Sequence, residues 1–313
     1  MTTHVVILAG GTGGTKLAHG FAMLAPGVRT TVVANVGDDT ELHGLHVSPD
    51  IDALLYTLGG LLDTERGWGV RDDTHTALRM LERYGAETWF TLGDADMATH
   101  VERTRRLREG QSLTDAVATM ASALGITARI LPATDDRYRT RIVTDAAELD
   151  FQEYFVLLRQ EPEVRSVRFD GAGTARPTEA VLDALATADV VVIGPSNPIV
   201  SIGPVLALDG MRDSVRAAAG PVVAVSPIIG GQALKGPADR MLTSLGHESS
   251  AVGVARLYAG LADRFVLDQA DADLAPQVEA LGMPADVLPT VMRTDADRRS
   301  LAAAILERCV AGR

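Results

Sequence analysis

Short, unbroken apolar runs recur along this chain, and each ends abruptly in glycine, asparagine, serine or proline. The first is Val5-Val6-Ile7-Leu8 and the second is Thr30–Val33. Two more lie within Asp189–Gly194 and Pro221–Ser226, and Arg264–Leu267 and Ala285–Pro289 read as late strands. Continuous rather than alternating runs predict strands buried on both faces, as in a parallel sheet covered by helices. Helical spacing predicts helices from about Thr15 to Met23, over Ile51–Leu62, Thr76–Tyr84, Met97–Glu109 and Leu113–Leu124, and a terminal one over Ala296–Val310. Ser48 suits the N-cap before Ile51, and Pro49 suits a first turn. Ala128–Leu131, Arg141–Thr144 and Phe151–Leu157 look like short strands. The strand–turn–helix–strand order with short links predicts an α/β fold. It is a Rossmann-like, doubly wound, mainly parallel sheet with an inserted, largely helical substructure. The core covers residues 1–62 and 178–313, and the inserted cap covers 63–177.

In such sheets, ligands sit beyond the carboxyl ends of the strands, so the polar breaks carry the candidate chemistry. After the first strand comes Ala9-Gly10-Gly11-Thr12-Gly13-Gly14-Thr15-Lys16. Glycines let a backbone approach a ligand, and a helix N-terminus offers unpaired N–H groups, so this turn predicts a phosphate site. Counting from Gly11, the sixth position is Lys16 rather than the glycine of a dinucleotide fingerprint, and no Gly-Lys-Ser/Thr P-loop is present. After the second strand comes Asn35-Val36-Gly37-Asp38-Asp39, with Asp50 and Asp52 following at a helix start. Four carboxylates beside a phosphate repel it unless a cation intervenes, and hard oxygen ligands suit Mg²⁺. The competing reading makes them caps and turn formers. Asp50 and Asp52 are two residues apart, so they cannot face one spot; one binds while the other caps. Gly194-Pro195-Ser196-Asn197-Pro198 offers neutral hydrogen-bonding groups suited to a base or sugar, or simply a rigid turn. Ser226-Pro227-Ile228-Ile229-Gly230-Gly231 follows another strand, with Lys235 beyond it. In the insert, Gly93–His100 carries His100, a base or a structural hydrogen-bonder. No Ser-His-Asp or Cys-His arrangement points to covalent catalysis.

Composition narrows the class. With 313 residues, 46% hydrophobic and 22% charged, the chain reads as an ordinary globular protein. A net charge of −12 argues against a general nucleic-acid binder. Of 29 basic residues only Lys16 and Lys235 are lysines, both beside glycines, which fits a point charge wanted there or chance alone. One cysteine, Cys309, excludes an internal disulfide framework and a cysteine-rich zinc site. No apolar run reaches membrane-span length and no signal peptide is read at the N-terminus, so a cytoplasmic, membrane-free protein is expected.

Taken together, these segments resemble the CofD/FbiA family. The resemblance is carried by the Gly10–Gly14 turn, Asn35–Asp39, Ser48–Asp52, Gly67-Trp68-Gly69, Leu92–His100, Phe151–Phe155, Gly194–Pro198 and Ser226–Gly230, in order as far as about Lys235. It implies an enzyme that moves a phospho-lactyl or phospho-enolpyruvyl group from a guanosine diphosphate-linked donor to the ribityl hydroxyl of the deazaflavin Fo. GMP leaves and Mg²⁺ is required, in the making of coenzyme F-420. It also implies a Rossmann-like core and a homodimer. By the same resemblance Gly10, Gly11, Thr12, Gly13, Gly14 and Lys16 hold the donor diphosphate. Ser196, Asn197 and Pro198 hold its guanosine part, with Ser226 nearby. Asp38, Asp50 and Asp52 hold Mg²⁺ or orient the acceptor hydroxyl, and Asp52 is preferred to Asp50 as proton acceptor. Trp68 packs on the deazaflavin ring or is simply core. Some relatives have a basic residue between the two aspartates of Gly93–Asp96, where this chain has Ala95, so no contact from it carries over. Two other classes compete. A YvcK-like gluconeogenesis factor would bind a nucleotide-sugar without turnover, but Gly93–His100 and Phe151–Phe155 read as an acceptor-side lobe. A nicotinamide oxidoreductase lacks its third glycine and an acidic residue at the end of strand two. Lactyl, enolpyruvyl and glyceryl donors differ by a few atoms that no motif reads.

Overall fold

The apolar runs do form a sheet covered on both faces. The computed structural model describes residues 2–310. Its central strands are β1 (Thr3–Ala9), β2 (Val28–Ala34), β3 (Arg129–Pro132), β4 (Val190–Ile193), β5 (Val222–Val225), β6 (Arg264–Asp268) and β7 (Ala285–Leu288). They lie in the order β7-β6-β5-β4-β1-β2-β3, and every neighbouring pair is parallel. From β1 the chain moves outward to β2 and β3, then returns to place β4 on the other side of β1. That reversal opens a crevice between the carboxyl ends of β1 and β4.

Alternate residues of β1 feed two cores. Val6 and Leu8 pack with Val191 and Ile193 on one face, and Val5 and Ile7 pack with Leu17 and Phe21 on the other. The second face is covered by α1 (Gly11–Ala22), α2 (Pro49–Leu58) and the terminal helix Asp295–Val310, whose Leu301 and Ile305 join Phe21. Three further helices lie between β2 and β3: α3 (Thr76–Arg83), α4 (Asp94–Arg108) and α5 (Leu113–Ala123). After β3 comes a three-stranded antiparallel sheet of Arg139–Thr144, Glu148–Asp150 and Val164–Asp170. A third apolar cluster joins this sheet's Ile142 and Val164 to Val200 beyond β4 and to Met241. The small sheet therefore stands over the crevice.

Four local readings change. The glycine segment is not a loop before α1 but its first turn, because the helix begins at Gly11. Phe151–Leu157 is helical, ending in a π-helical turn at Glu153–Leu157, with Phe151 stacked on Phe155 at 5.4 Å. A short apolar run does not distinguish strand from helix; here Phe151, Tyr154 and Phe155 share a face at helical spacing. Arg129–Pro132, within the stretch read as an insert, is the edge strand of the central sheet and pairs with Thr31–Ala34. A hairpin of Thr40–Leu42 and Leu45–Val47, turned by His43 and Gly44 at positive φ, occupies part of the acidic segment. No helix among the described residues is long and apolar enough to cross a membrane.

Candidate active site

Gly10 and Gly11 make the break that turns β1 into α1. Gly10 is extended at φ −153°, and Gly11 has φ +62°, the left-handed region that glycine enters without a Cβ penalty. Gly13 and Gly14 are glycines for a different reason. A Cβ on Gly13 would run into the Pro195 carbonyl, and one on Gly14 into Ser196 Oγ. α1 can lie this close to the loop after β4 because those side chains are missing. Thr12 and Gly13 lie in the first helical turn, where N–H groups have no intrahelical acceptor. The N–H of Gly11 already donates to Asp50 Oδ1 at 2.6 Å, and that of Gly10 to Ser196 Oγ at 3.4 Å. The turn thus presents backbone donors at the β1/β4 crevice with a carboxylate seated against them.

That carboxylate belongs to the N-terminal turn of α2. Asn35 Nδ2 donates to Asp50 Oδ2 at 2.9 Å, while Asn35 Oδ1 accepts from the Gly37 N–H at 2.8 Å and shapes the turn after β2. Asp38 sits on this turn, buried, with Oδ1 left without a hydrogen-bond partner. Burial and the neighbouring Asp50 charge raise the Asp38 carboxyl well above the usual range. Asp50 is pushed up to about 6, chiefly by burial, against the Gly11 and Asn35 hydrogen bonds. Two buried carboxylates that repel each other, one with an orphaned oxygen, are what a hard cation relieves. Mg²⁺ commonly takes one or two carboxylates, with substrate phosphates and water completing the shell. Among the described residues no three His, Cys, Asp or Glu side chains gather as a metal site, so the fit extends to the Asp38–Asp50 pair alone.

Asp52 and Asp39 turn elsewhere. Asp52, two residues beyond Asp50, projects to nearly the opposite side of α2, and its carboxylate pairs with the guanidinium of Arg103, with Nη1 at 3.2 Å from Oδ2. Its Oδ2 also accepts the Ser48 N–H at 3.3 Å, so it caps α2 as well. Asp39 accepts from Ser48 Oγ at 2.6 Å and is pushed up to about 7 by burial. His46 stands 3.4 Å from it and is pushed down to about 3 by burial and Arg103. Near neutral pH that contact is not an ion pair, because the histidine is uncharged.

The loop after β4 is shaped from within. Asn197 Oδ1 accepts the Ile199 N–H at 2.9 Å, and Ser226 Oγ both donates to the Ile228 carbonyl and accepts its N–H. Pro198 borders a half-open cleft of ≈ 240 Å³ with Gly203, Leu206 and Tyr258. Lys16 is on α1 one turn after Thr12. Its Nζ donates to the Met292 carbonyl at 3.0 Å, and burial with Arg298 and Lys235 nearby lowers its pKa. A Cβ on Gly67 would lie 2.6 Å from Lys235 Nζ, so the Trp68 loop rests against the loop beyond β5. Trp68 is 51% exposed, with Arg66 over its ring at 5.9 Å, and is not core.

The Gly93–His100 segment is largely architectural. Asp94 accepts the Thr76 and Ala77 N–H groups at the start of α3, and Asp73 accepts those of Ala95 and Asp96 at the start of α4. Sequence reasoning missed Asn35 and Arg103. Arg103 had a visible signal: Asp96, His100 and Arg103 recur at i, i+4 and i+7, a polar stripe buried on one helical face. Asn35 stood at a strand end within the Asn35–Asp39 segment that carries the resemblance, but nothing in its spacing marked its side chain.

Comparison with known proteins adds to this geometry. The family profile described as 2-phospho-L-lactate transferase CofD matches residues 5–295. A phosphoenolpyruvate transferase of Streptomyces griseus is 42% identical over 299 residues, 94% of each chain. A 2-phospho-L-lactate transferase of Methanosarcina barkeri is 40% identical over 298 residues, 95% of this chain and 96% of the relative. Among solved structures, a UPF0052-family protein of Bacillus halodurans has TM-score 0.69 at 16% identity, covering 98% of this chain and 99% of its own.

Proposed function

Because the chain belongs to the CofD family of 2-phospho-L-lactate transferases, we propose that it transfers a phospho-lactyl or phospho-enolpyruvyl group from a guanosine diphosphate-linked donor to the ribityl hydroxyl of the deazaflavin Fo, in coenzyme F-420 biosynthesis. The hydroxyl oxygen attacks the phosphorus bearing the three-carbon acid. The bond from that phosphorus to the bridging oxygen breaks, GMP leaves, and the hydroxyl proton passes to a carboxylate. The observation that carries this reading is the buried Asp38–Asp50 pair beside the Gly11 N–H at the β1/β4 crevice.

In this reading the first turn of α1 and Lys16 bind the diphosphate, and Ser196, Asn197, Pro198 and Ser226 border the guanosine. Trp68 lies open to an aromatic ring. Asp38 and Asp50 would hold Mg²⁺, which supplies charge neutralisation for the diphosphate and the leaving GMP. Asp52, whose oxygens are taken by Arg103 and the Ser48 N–H, is poorly placed to accept the proton, so the carboxylate of the Asp38–Asp50 pair left free of Mg²⁺ would take it. The homodimer belongs to the same reading and rests on the family resemblance; the cytoplasmic location rests on the sequence's single cysteine and on no signal peptide or membrane span being read in it. A binding-only regulator has no specific observation in its favour, since the Bacillus likeness speaks for fold alone.

The test mixes the protein with Mg²⁺, Fo and lactyl-, enolpyruvyl- or glyceryl-linked guanosine donors. Chromatography should find GMP and a new fluorescent phosphodiester in equal amounts. Absence of product with every donor sinks the transferase reading. Asp38→Asn should lower turnover about 100-fold and raise the Mg²⁺ concentration needed for half-activity. An unchanged Mg²⁺ dependence would reduce Asp38 to a turn residue.

A further inference from the structure

The segment that carries the candidate carboxylates is gripped from the side by α4. Arg103 of that helix is completely buried. Its guanidinium engages both carboxylate oxygens of Asp52 and donates to the His46 carbonyl at 3.3 Å. Next to it Thr104 Oγ1 accepts the His46 N–H at 2.8 Å. One turn back on the same face, His100 stands 3.5 Å from Asp52 and 3.4 Å from Asp96, and Tyr56 Oη donates to Asp96 at 2.6 Å. The Tyr56–Asp96 and Asp52–Arg103 pairs thus tie α2 to α4 from within, with His100 seated between the two carboxylates.

Apolar side chains would hold two helices together at lower cost, because burying an ion pair forfeits hydration that its mutual attraction only partly returns. What the forked arginine–carboxylate pair supplies is a single orientation. Asp52 is two residues from Asp50 on the first turn of α2, and Asp50 reaches the Gly11 N–H at 2.6 Å. Any rotation of that turn swings Asp50 across the crevice. We propose that Arg103, with His100 beside it, is a positioning residue of the transfer reaction: by fixing Asp52 it fixes the turn that delivers Asp50 to the glycine turn. The proposal rests on the transferase reading, and it makes one strut serve both the inserted helix and the donor turn.

Three proteins test it: wild type, Arg103→Lys, which keeps the charge but loses the fork, and the paired Arg103→Met/Asp52→Asn, which removes both buried charges and so avoids an orphaned carboxylate. Each is first shown folded by circular dichroism and assayed well below its melting temperature. Residues that orient a reacting or metal-binding group typically change activity by about 10–100-fold, so kcat of the paired variant should fall within that range, with donor KM within about twofold. Arg103→Lys should keep an intermediate kcat. In glycine-selective ¹⁵N spectra, exchange of the Gly11 amide should quicken about tenfold in the paired variant as its hydrogen bond loosens. A folded paired variant with wild-type kcat and unchanged Gly11 exchange overturns the proposal, and so does a loss confined to KM. If wild type itself yields no product, the transferase reading fails, while the Gly11 amide still decides whether Arg103 sets the position of Asp50.

Discussion

At the scale of single residues, the glycines divide into two kinds that look identical in sequence. Gly11 is required by its backbone angle, Gly13 by the carbonyl it touches. Gly13→Ala should therefore destabilise by about 1–3 kcal/mol through overpacking, lowering the melting temperature by several degrees. An unchanged melting curve would mean that the Pro195 loop yields freely. A second residue sets a pH dependence remote from the site. His4 on β1 is buried, with Nδ1 3.1 Å from the Thr187 carbonyl and Nε2 3.0 Å from Thr31 Oγ1. Burial lowers its pKa against the hydrogen bond to the Thr187 carbonyl, with Arg29 and Arg129 acting with burial and Asp189 against it. The folded protein then binds fewer protons than the unfolded chain below the ordinary histidine pKa of about 6.5. Its contribution is fully present above that pH and is lost as pH falls toward the lowered value. The wild-type melting temperature should drop between pH 7.5 and 5.5 more than that of His4→Gln. Parallel slopes would place the pH sensitivity elsewhere.

At the scale of elements, the irregular helix at Phe151–Leu157 matters more than its strand-like sequence suggests. It delivers Gln152 Nε2 to the Asp38 carbonyl at 3.0 Å. Gln152→Ala leaves that buried acceptor unpaired, at a cost of about 1–3 kcal/mol, and should lower turnover roughly tenfold. Turnover matching wild type would show that Asp38 is held by its own turn. The elements that could be read from sequence share one property: their signal is local. The continuous apolar runs of β1, β2, β4 and β5 announce strands covered on both faces, and the glycines after β1 announce a helix entry. Ala128–Leu131 looks the same in a central sheet as in an insert; only the pairing of β3 with Thr31–Ala34 decides. The candidate site shows the same limit. Proximity of Asp38 and Asp50 to the glycine turn follows from strand order. That Asp52 points to Arg103, 51 residues on, depends on how α4 docks.

At the scale of the whole molecule, rigidity is unevenly shared. Every residue of β1 from His4 to Ala9 is buried, whereas no residue from 58 to 91 is. That stretch includes α3, Trp68 and Tyr84, and four arginines: Arg66, Arg71, Arg79 and Arg83. Segments with few buried contacts open most readily. Brief trypsin treatment should cut first after one of these four, and mass spectrometry of the earliest fragments will show it. A first cut after Arg129 or Arg264, both on central strands, would contradict the assignment.

The close seating of α1 on the Pro195–Ser196 loop has a mechanical consequence. Two missing methyl groups set the gauge of the crevice, and a backbone carbonyl is its stop. The strand ends can neither close further on a ligand nor repack around a larger one. Residues 58–91, none of them buried, lack any such stop, so the freedom denied to the strand ends is concentrated there.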